Sequence, residues 1–185
     1  RRPSSQYARE ALEGLDRIGG KVSLDHRLNV LARHVSRDSL PTVLKTIDAL
    51  APKHRTKKAA ISLAHAKAIA RTRDWARAVK AYDATARLRS GHRAEARYHA
   101  ARASERLGQH TDALKRYVAI VRQHPKSGWS ERASFRRASL LMRRGEDKKA
   151  AWAFAKYLSR YGKSKHAPEA RYWRALALLE SGQAK

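Results

Sequence analysis

Cysteine is absent from this chain of 185 residues, and acidic residues are few. Without cysteine there is no disulfide framework and no thiolate metal site, although the cellular compartment stays open. Apolar runs are short, and none reaches the roughly 18 residues that a transmembrane helix needs. The sequence therefore excludes a chain held together by disulfides and contains no candidate membrane span. It begins at Arg1 and not at methionine, so we expect a processed or excised piece of a longer product.

Positive charge is abundant in this chain, whereas negative charge is scarce. The chain has 42 Lys and Arg against 16 Asp and Glu, which gives a formal net charge of +26. A field of this sign attracts polyanions, so nucleic acid, anionic lipid surfaces and acidic cell-wall polymers are all candidate partners. The alternative is that most of these cations lie on solvated helix faces and only keep the chain soluble.

Three glycines mark an internal repeat, because Gly108, Gly145 and Gly182 follow one another at intervals of 37 residues. Alanine precedes each glycine by seven residues and an aromatic residue precedes it by ten. After the first two glycines, alanine and an aromatic residue return at offsets of five and nine. The residues at these positions are Ala101, Ala138, Ala175, Tyr98, Phe135, Tyr172, Ala113, Ala150, Tyr117 and Phe154. Self-similarity at such a period predicts stacked helical hairpins.

Each repeated residue type has a physical role in such a hairpin. Alanine in mid-helix lets two helix axes approach closely, and the aromatic residue fills the gap between neighbouring hairpins. Glycine after the last helical turn supplies the left-handed conformation that reverses the chain. A fainter copy lies upstream, with Ala66, Ala78 and Tyr82 in register and Arg73 at the glycine position. One hairpin cannot cover its own apolar stripe, so we predict an all-α, right-handed α-solenoid of about five hairpins.

Capping and stop signals predict ten helices. The first follows Ser4 and Ser5 and ends at Gly19-Gly20, the second is capped by Ser23, and the third lies between Asp38 or Ser39 and Pro52. The remaining seven are predicted at residues 56–71, 75–89, 92–107, 111–123, 130–144, 147–161 and 169–181.

The repeat positions resemble a known family. Gly108, Ala113, Tyr117 and Pro125, at offsets of 0, 5, 9 and 17, resemble the tetratricopeptide pattern for a hairpin turn and second helix. Ala101 resembles the small residue of its first helix. In the next repeat Gly145, Ala150 and Phe154 match, and Gly162 stands at the proline position. The resemblance extends over about residues 56–185. It implies irregular N-terminal helices in residues 1–54 and tetratricopeptide-like repeats in residues 55–185, of which the last is truncated.

The segments between hairpins carry a narrower resemblance. Residues 124–127 (His-Pro-Lys-Ser) and 161–164 (Tyr-Gly-Lys-Ser) resemble joins in periplasmic tetratricopeptide-like proteins. These include outer-membrane assembly lipoproteins, Tol–Pal-associated coordinator proteins and the superhelical part of soluble lytic murein transglycosylases. The segment Ala-Arg-Tyr-Trp-Arg-Ala at 170–175 most resembles the transglycosylases. The resemblance implies a bacterial periplasmic or cell-envelope location, and a superhelix that binds peptidoglycan beside a catalytic domain outside this sequence.

No catalytic residue, metal ligand or cofactor is predicted within these residues. The nine histidines have no ligand spacing, and no nucleophile elbow or phosphate-binding glycine loop is present. Glu95 and Glu105 share a predicted helix with arginine neighbours, and we interpret them as salt-bridge partners. Whether the parent chain is an enzyme stays open.

Ligand-binding residues follow from the expectation that the first helix of each hairpin lines a concave face. The predicted set is Lys67, Tyr98, Arg102, Arg106, Arg132, Arg136 and Trp173. Arginine binds carboxylates and phosphates at two points, and aromatic rings stack on sugars or bases. The alternative is that Tyr98, Phe135 and Tyr172 are spacers between hairpins and that the arginines are only solvated.

These observations predict a non-catalytic helical-repeat binding scaffold, specifically the superhelical segment of a lytic transglycosylase that positions anionic peptidoglycan. A protein–protein adaptor of the cell envelope is the alternative. Nucleic-acid binding through the basic run at residues 53–58 is less favoured, because no nucleic-acid-binding module is visible. The last helix carries enough apolar residues for a dimer contact. They are Tyr172, Trp173, Leu176, Leu178 and Leu179.

Overall fold

Nine α-helices make up most of the computed structural model, which describes residues 23–182 together with Glu10, Glu13, Gly14 and Arg17. We number them α1 to α9. Their bounds are Leu24–Arg33, Leu40–Leu50, Lys58–Arg71, Trp75–Arg87, Arg93–Arg106, His110–Gln123, Gly128–Arg143, Asp147–Tyr161 and Ala167–Glu180. A 3-10 helix at Pro52–Lys57 connects α2 to α3. No strand occurs in these residues.

The predicted helices from Ser23 onward are all present, with ends that differ by a few residues. The first predicted helix, ending at Gly19-Gly20, lies outside the described residues except for four positions, which are helical. The start of α7 differs because Ser127, not Ser130, caps it, accepting a hydrogen bond from the Trp129 amide at 3.2 Å. Ser130 is instead fully buried and donates to the carbonyls of Ile120 and His124 at the end of α6.

The helices form two compact units, one ending at Leu107 and the other starting at Gly108. In the first unit α1 and α2 pack on α3, α3 packs on α4, and α4 packs on α5. In the second unit each of the helices α6 to α9 packs on the next. Sequential packing of helical hairpins is the arrangement of an α-solenoid, so the predicted all-α fold class is confirmed. The right-handed path and the boundary between residues 54 and 55 stay predictions.

The alanine and second-helix aromatic positions of the repeat are buried, except for Ala175 of the last repeat, which is exposed. Ala66, Ala78, Ala101, Ala113, Ala138 and Ala150 are fully buried, as are Tyr117 and Phe154. A larger side chain at an alanine position would hold the neighbouring helices apart. The first-helix aromatics vary more, since Tyr98 is buried, Phe135 is half-buried and Tyr172 is 63% exposed. Burial is therefore more uniform at the alanine and second-helix aromatic positions than at the first-helix aromatic position.

The backbone angles confirm the left-handed conformation predicted for the three repeat glycines. Gly108, Gly145 and Gly182 have φ angles of +82°, +67° and +69°. After α7 the Gly145 amide donates to the Met142 carbonyl at 3.0 Å and the Glu146 amide to the Leu141 carbonyl at 3.0 Å, which closes the helix end. Arg73, which stands at the glycine position of the upstream copy, has a φ of +62°. An arginine therefore holds a conformation that favours glycine.

We expect Arg73→Gly to raise the free energy of unfolding by about 1 kcal/mol, because the left-handed region costs an L-residue roughly 1–2 kcal/mol and glycine very little. Urea denaturation of the full chain measures the change. The matched control is Gly145→Ala, since a Cβ at Gly145 would meet no atom within 4 Å and only the φ angle penalises it. That variant should lose about 1 kcal/mol, and a loss from Arg73→Gly would contradict the prediction.

No helix among the described residues has both the length and the apolar character to cross a membrane.

Candidate functional site

A cleft of about 370 Å³ opens in the first unit, between residues of α1, α3, α4 and α5. Cations come from three of these helices, and α4 supplies two aromatic residues. The charged and aromatic residues that line it are Arg33, Lys67, Arg71, Trp75, Tyr82, His99, Arg102 and Arg106. Because α1 and α3 are neighbours and α4 lies between α3 and α5 in the packing order, side chains distant in sequence meet here.

Four arginines give the cleft its charge. Arg33 comes from α1, Arg71 from α3, and Arg102 and Arg106 from successive turns of α5. Arg71 Nε donates to the Arg33 carbonyl at 3.1 Å, which fixes its side chain across the two helices. Within the part of the chain that the structure describes, none of the four forms an ion pair with a carboxylate. Guanidinium groups bind carboxylates and phosphates at two points, so the chemistry of this lining suits an anion.

Lys67 is already paired. Its Nζ lies 2.7 Å from Glu95 Oε1, and both side chains are partly buried. Glu95 also lies within 4 Å of two imidazoles, 3.9 Å from His92 Nδ1 and 3.8 Å from His99 Nε2. The interpretation of Glu95 as a salt-bridge partner is confirmed. Because the carboxylate neutralises Lys67, the net positive charge of the cleft comes mainly from its arginines.

Tyr82 and His99 form an aromatic wall. Their rings stack with centroids 5.3 Å apart and an interplanar angle of 23°. Burial raises the pKa of Tyr82 well above its usual range, with the Glu95 charge adding to the increase and Arg102 opposing it. The phenol is therefore neutral at physiological pH. Trp75, which is half-buried, lines the same cleft, so the site offers an indole ring beside its guanidinium groups.

The structure brings three of the predicted ligand-binding residues together, since Lys67, Arg102 and Arg106 all line the cleft. Tyr98 does not line it. The Tyr98 side chain is only 8% exposed and meets the edge of the His99 ring, with centroids 5.5 Å apart. This placement agrees with the alternative interpretation of Tyr98 as a spacer aromatic.

The other three predicted residues lie in the second unit. The Arg132 guanidinium sits 4.6 Å from the centre of the Trp129 ring, and Arg136 is half-buried on the same helix, α7. Trp173 on α9 donates from Nε1 to Glu169 Oε1 at 3.3 Å. The ligand-binding role of each of these residues stays a prediction.

The sequence prediction missed Arg33, Arg71, Trp75, Tyr82 and His99. The prediction considered only fixed offsets within the first helix of each hairpin. Arg33 was missed because α1 lies outside the repeat register, and Trp75 and Tyr82 were missed because α4 is a second helix. Tyr82 did carry a signal, because it occupies a repeat aromatic position. No group of three metal-ligating side chains comes together anywhere in the described ranges.

Comparison with known families identifies one repeat. Residues 95–127 match a family model described as Tetratricopeptide repeat, a segment that begins within α5 and ends at the cap of α7. The match supports a tetratricopeptide-like helical repeat protein. Such repeats generally mediate protein interactions, so it also supports a protein-binding scaffold. No curated protein matches the sequence significantly.

Proposed function

We propose that this chain is a non-catalytic binding scaffold that holds a carboxylate-bearing ligand in the cleft of the first unit. The supporting observation is that Arg33, Arg71, Arg102 and Arg106 line one cleft and have no acidic partner among the described residues. Guanidinium forks match carboxylates in two-point geometry, and the net charge of +26 attracts such ligands over a distance.

The specific ligand we propose is peptidoglycan, whose lactyl-peptide carboxylates would meet the arginines while its sugars lie against Trp75. The chain would then be the superhelical segment of a bacterial periplasmic lytic transglycosylase, with catalysis in another domain of the parent protein. Supporting observations are the resemblance at residues 170–175 and the combination of rings and guanidinium groups in the cleft.

A protein–protein adaptor of the cell envelope is the second candidate, and the tetratricopeptide match favours it. An acidic segment of a partner protein would occupy the same cleft.

Nucleic acid is a weaker candidate. Lys53, Lys57 and Lys58 are exposed, but they favour a nucleic acid only through their charge. Self-association through α9 is supported only by the exposure of Tyr172 and Leu179.

Co-sedimentation of the full chain with purified sacculi at low salt tests the peptidoglycan proposal. We expect retention on native sacculi and loss of retention on sacculi whose carboxyl groups have been amidated, because amidation removes the charge that the arginines bind. Equal retention on both would contradict carboxylate recognition. No retention on native sacculi, combined with binding of an acidic peptide, would favour the adaptor.

A further inference from the structure

A second groove, in the other unit, has an apolar floor. Its volume is about 410 Å³, and it lies along α6 and α7 and the start of α8. Leu114, Val118 and Ala119 of α6 and Leu141 of α7 supply the floor. Leu114 and Val118 stand one turn apart, and Val118 is 44% exposed, which is high for a β-branched apolar residue. The groove therefore presents an uncovered apolar strip between two helices.

Cations flank this strip. Lys115, Arg122 and Arg137 line the groove, and none of the three forms an ion pair within the described second unit. Glu146 is the acidic residue of the lining, and it is already neutralised by Arg144 and Lys149, each at 2.7 Å. The side chains around the apolar strip thus have an excess of positive charge that the described residues do not balance.

Arg137 is the most constrained of these cations. It is half-buried, and its guanidinium lies 5.6 Å from the centre of the Trp152 ring. Burial lowers the pKa of Arg137, because the charged form loses hydration. Trp152 itself is 55% exposed, and Lys156 Nζ lies 5.4 Å from the same ring. A partner carboxylate at the groove would restore part of the electrostatic stabilisation that Arg137 has lost.

We propose that this groove docks an acidic amphipathic helix of a partner protein. Apolar side chains of the partner would pack on Leu114, Val118 and Leu141, and flanking Asp or Glu side chains would pair with Lys115, Arg122 and Arg137. A trough between two packed helices accepts a third helix by interdigitation of side-chain ridges. Charge complementarity selects an acidic helix, and the apolar floor favours a helix over a nucleic acid, whose backbone is polar throughout. The proposal is independent of the cleft in the first unit.

A designed peptide tests the groove. The probe is a fluorescein-labelled peptide of about 15 residues, long enough for several helical turns, with leucine at helical spacing and glutamate elsewhere. Binding to the full chain is followed by fluorescence anisotropy. We expect Arg137→Gln to raise the dissociation constant about tenfold and Val118→Ser about fivefold. The matched controls Lys163→Gln and Leu179→Ser, exposed positions elsewhere in the same unit, should leave it unchanged.

Two further measurements distinguish docking in this groove from binding in the first unit and from attraction by net charge alone. Arg102→Gln, in the cleft of the first unit, should leave peptide binding unchanged, so that failure of the proposed scaffold function and failure of the groove are distinguishable. A peptide with lysine in place of glutamate should bind far more weakly. Equal binding of that peptide, or affinities unaffected by Arg137→Gln and Val118→Ser, would overturn the proposal. So would tight binding of single-stranded DNA that depends on Arg137 but not on Val118.

Discussion

Replacing Arg102 and Arg106 together with glutamine should lower the affinity of the chain for a carboxylate ligand about 100-fold, because each guanidinium supplies a charge-assisted hydrogen bond of roughly 1.5–3 kcal/mol. We place Arg106 at the low end of that range because it is exposed, whereas Arg102 is half-buried beside the ring wall. Glutamine keeps most of the side-chain volume, so the substitution removes charge and leaves packing nearly unchanged. Isothermal titration with a muropeptide that carries its free carboxylates, and separately with an acidic peptide that lacks the leucines of the groove probe, measures the loss for both candidate ligands.

The matched control for this prediction is the double variant Arg87→Gln/Arg89→Gln. Both arginines are exposed, lie in the same unit and stand away from the cleft, so the net charge falls by the same amount. We expect the control to retain affinity within a few-fold, since exposed charges at a distance are screened by salt. A comparable loss in both variants would mean that the ligand responds to overall charge, and it would contradict a defined site.

Phe154→Ala should lower the free energy of unfolding by about 4 kcal/mol, because truncating a fully buried phenylalanine removes its apolar contacts and leaves a cavity. The Phe154 ring is fully buried and meets the Phe135 ring edge-on at 5.9 Å. It lies in a cluster with alanines of α7, α8 and α9, so the cavity would open where three helices meet. Urea denaturation followed by circular dichroism measures the change, and the transition of the second unit should shift most.

The control for this second prediction is Trp152→Ala, which removes a larger aromatic side chain from the same helix. Trp152 is exposed and contacts cations at the surface, so we expect a loss below about 1 kcal/mol. Similar losses from Trp152→Ala and Phe154→Ala would contradict the assignment of Phe154 to the core.

Much of the site escaped prediction because it depends on neighbours that are distant in sequence. Arg102 and Arg106 were predicted, since their spacing along one helix is a local property. Arg33 and Arg71 were not, because only the packing of α1 on α3 brings them to the same cleft. Lys67, on α3, is neutralised because its Nζ lies 2.7 Å from Glu95 Oε1. Glu95 belongs to α5, which begins 22 residues after α3 ends. No periodicity in the sequence encodes that distance.

The sequence by itself determined the hairpin and its turn. The alanines, second-helix aromatics and glycines act through helix spacing and backbone conformation, which are set within a few residues, and so even Arg73 could be placed in register before its φ angle was known. Only the tertiary structure decided that Tyr98 lies inside, that four arginines converge with no acidic partner among the described residues, and that Val118 stays uncovered. The physical reason is that burial and charge pairing are properties of the surroundings, and the surroundings of each side chain are supplied by helices other than its own.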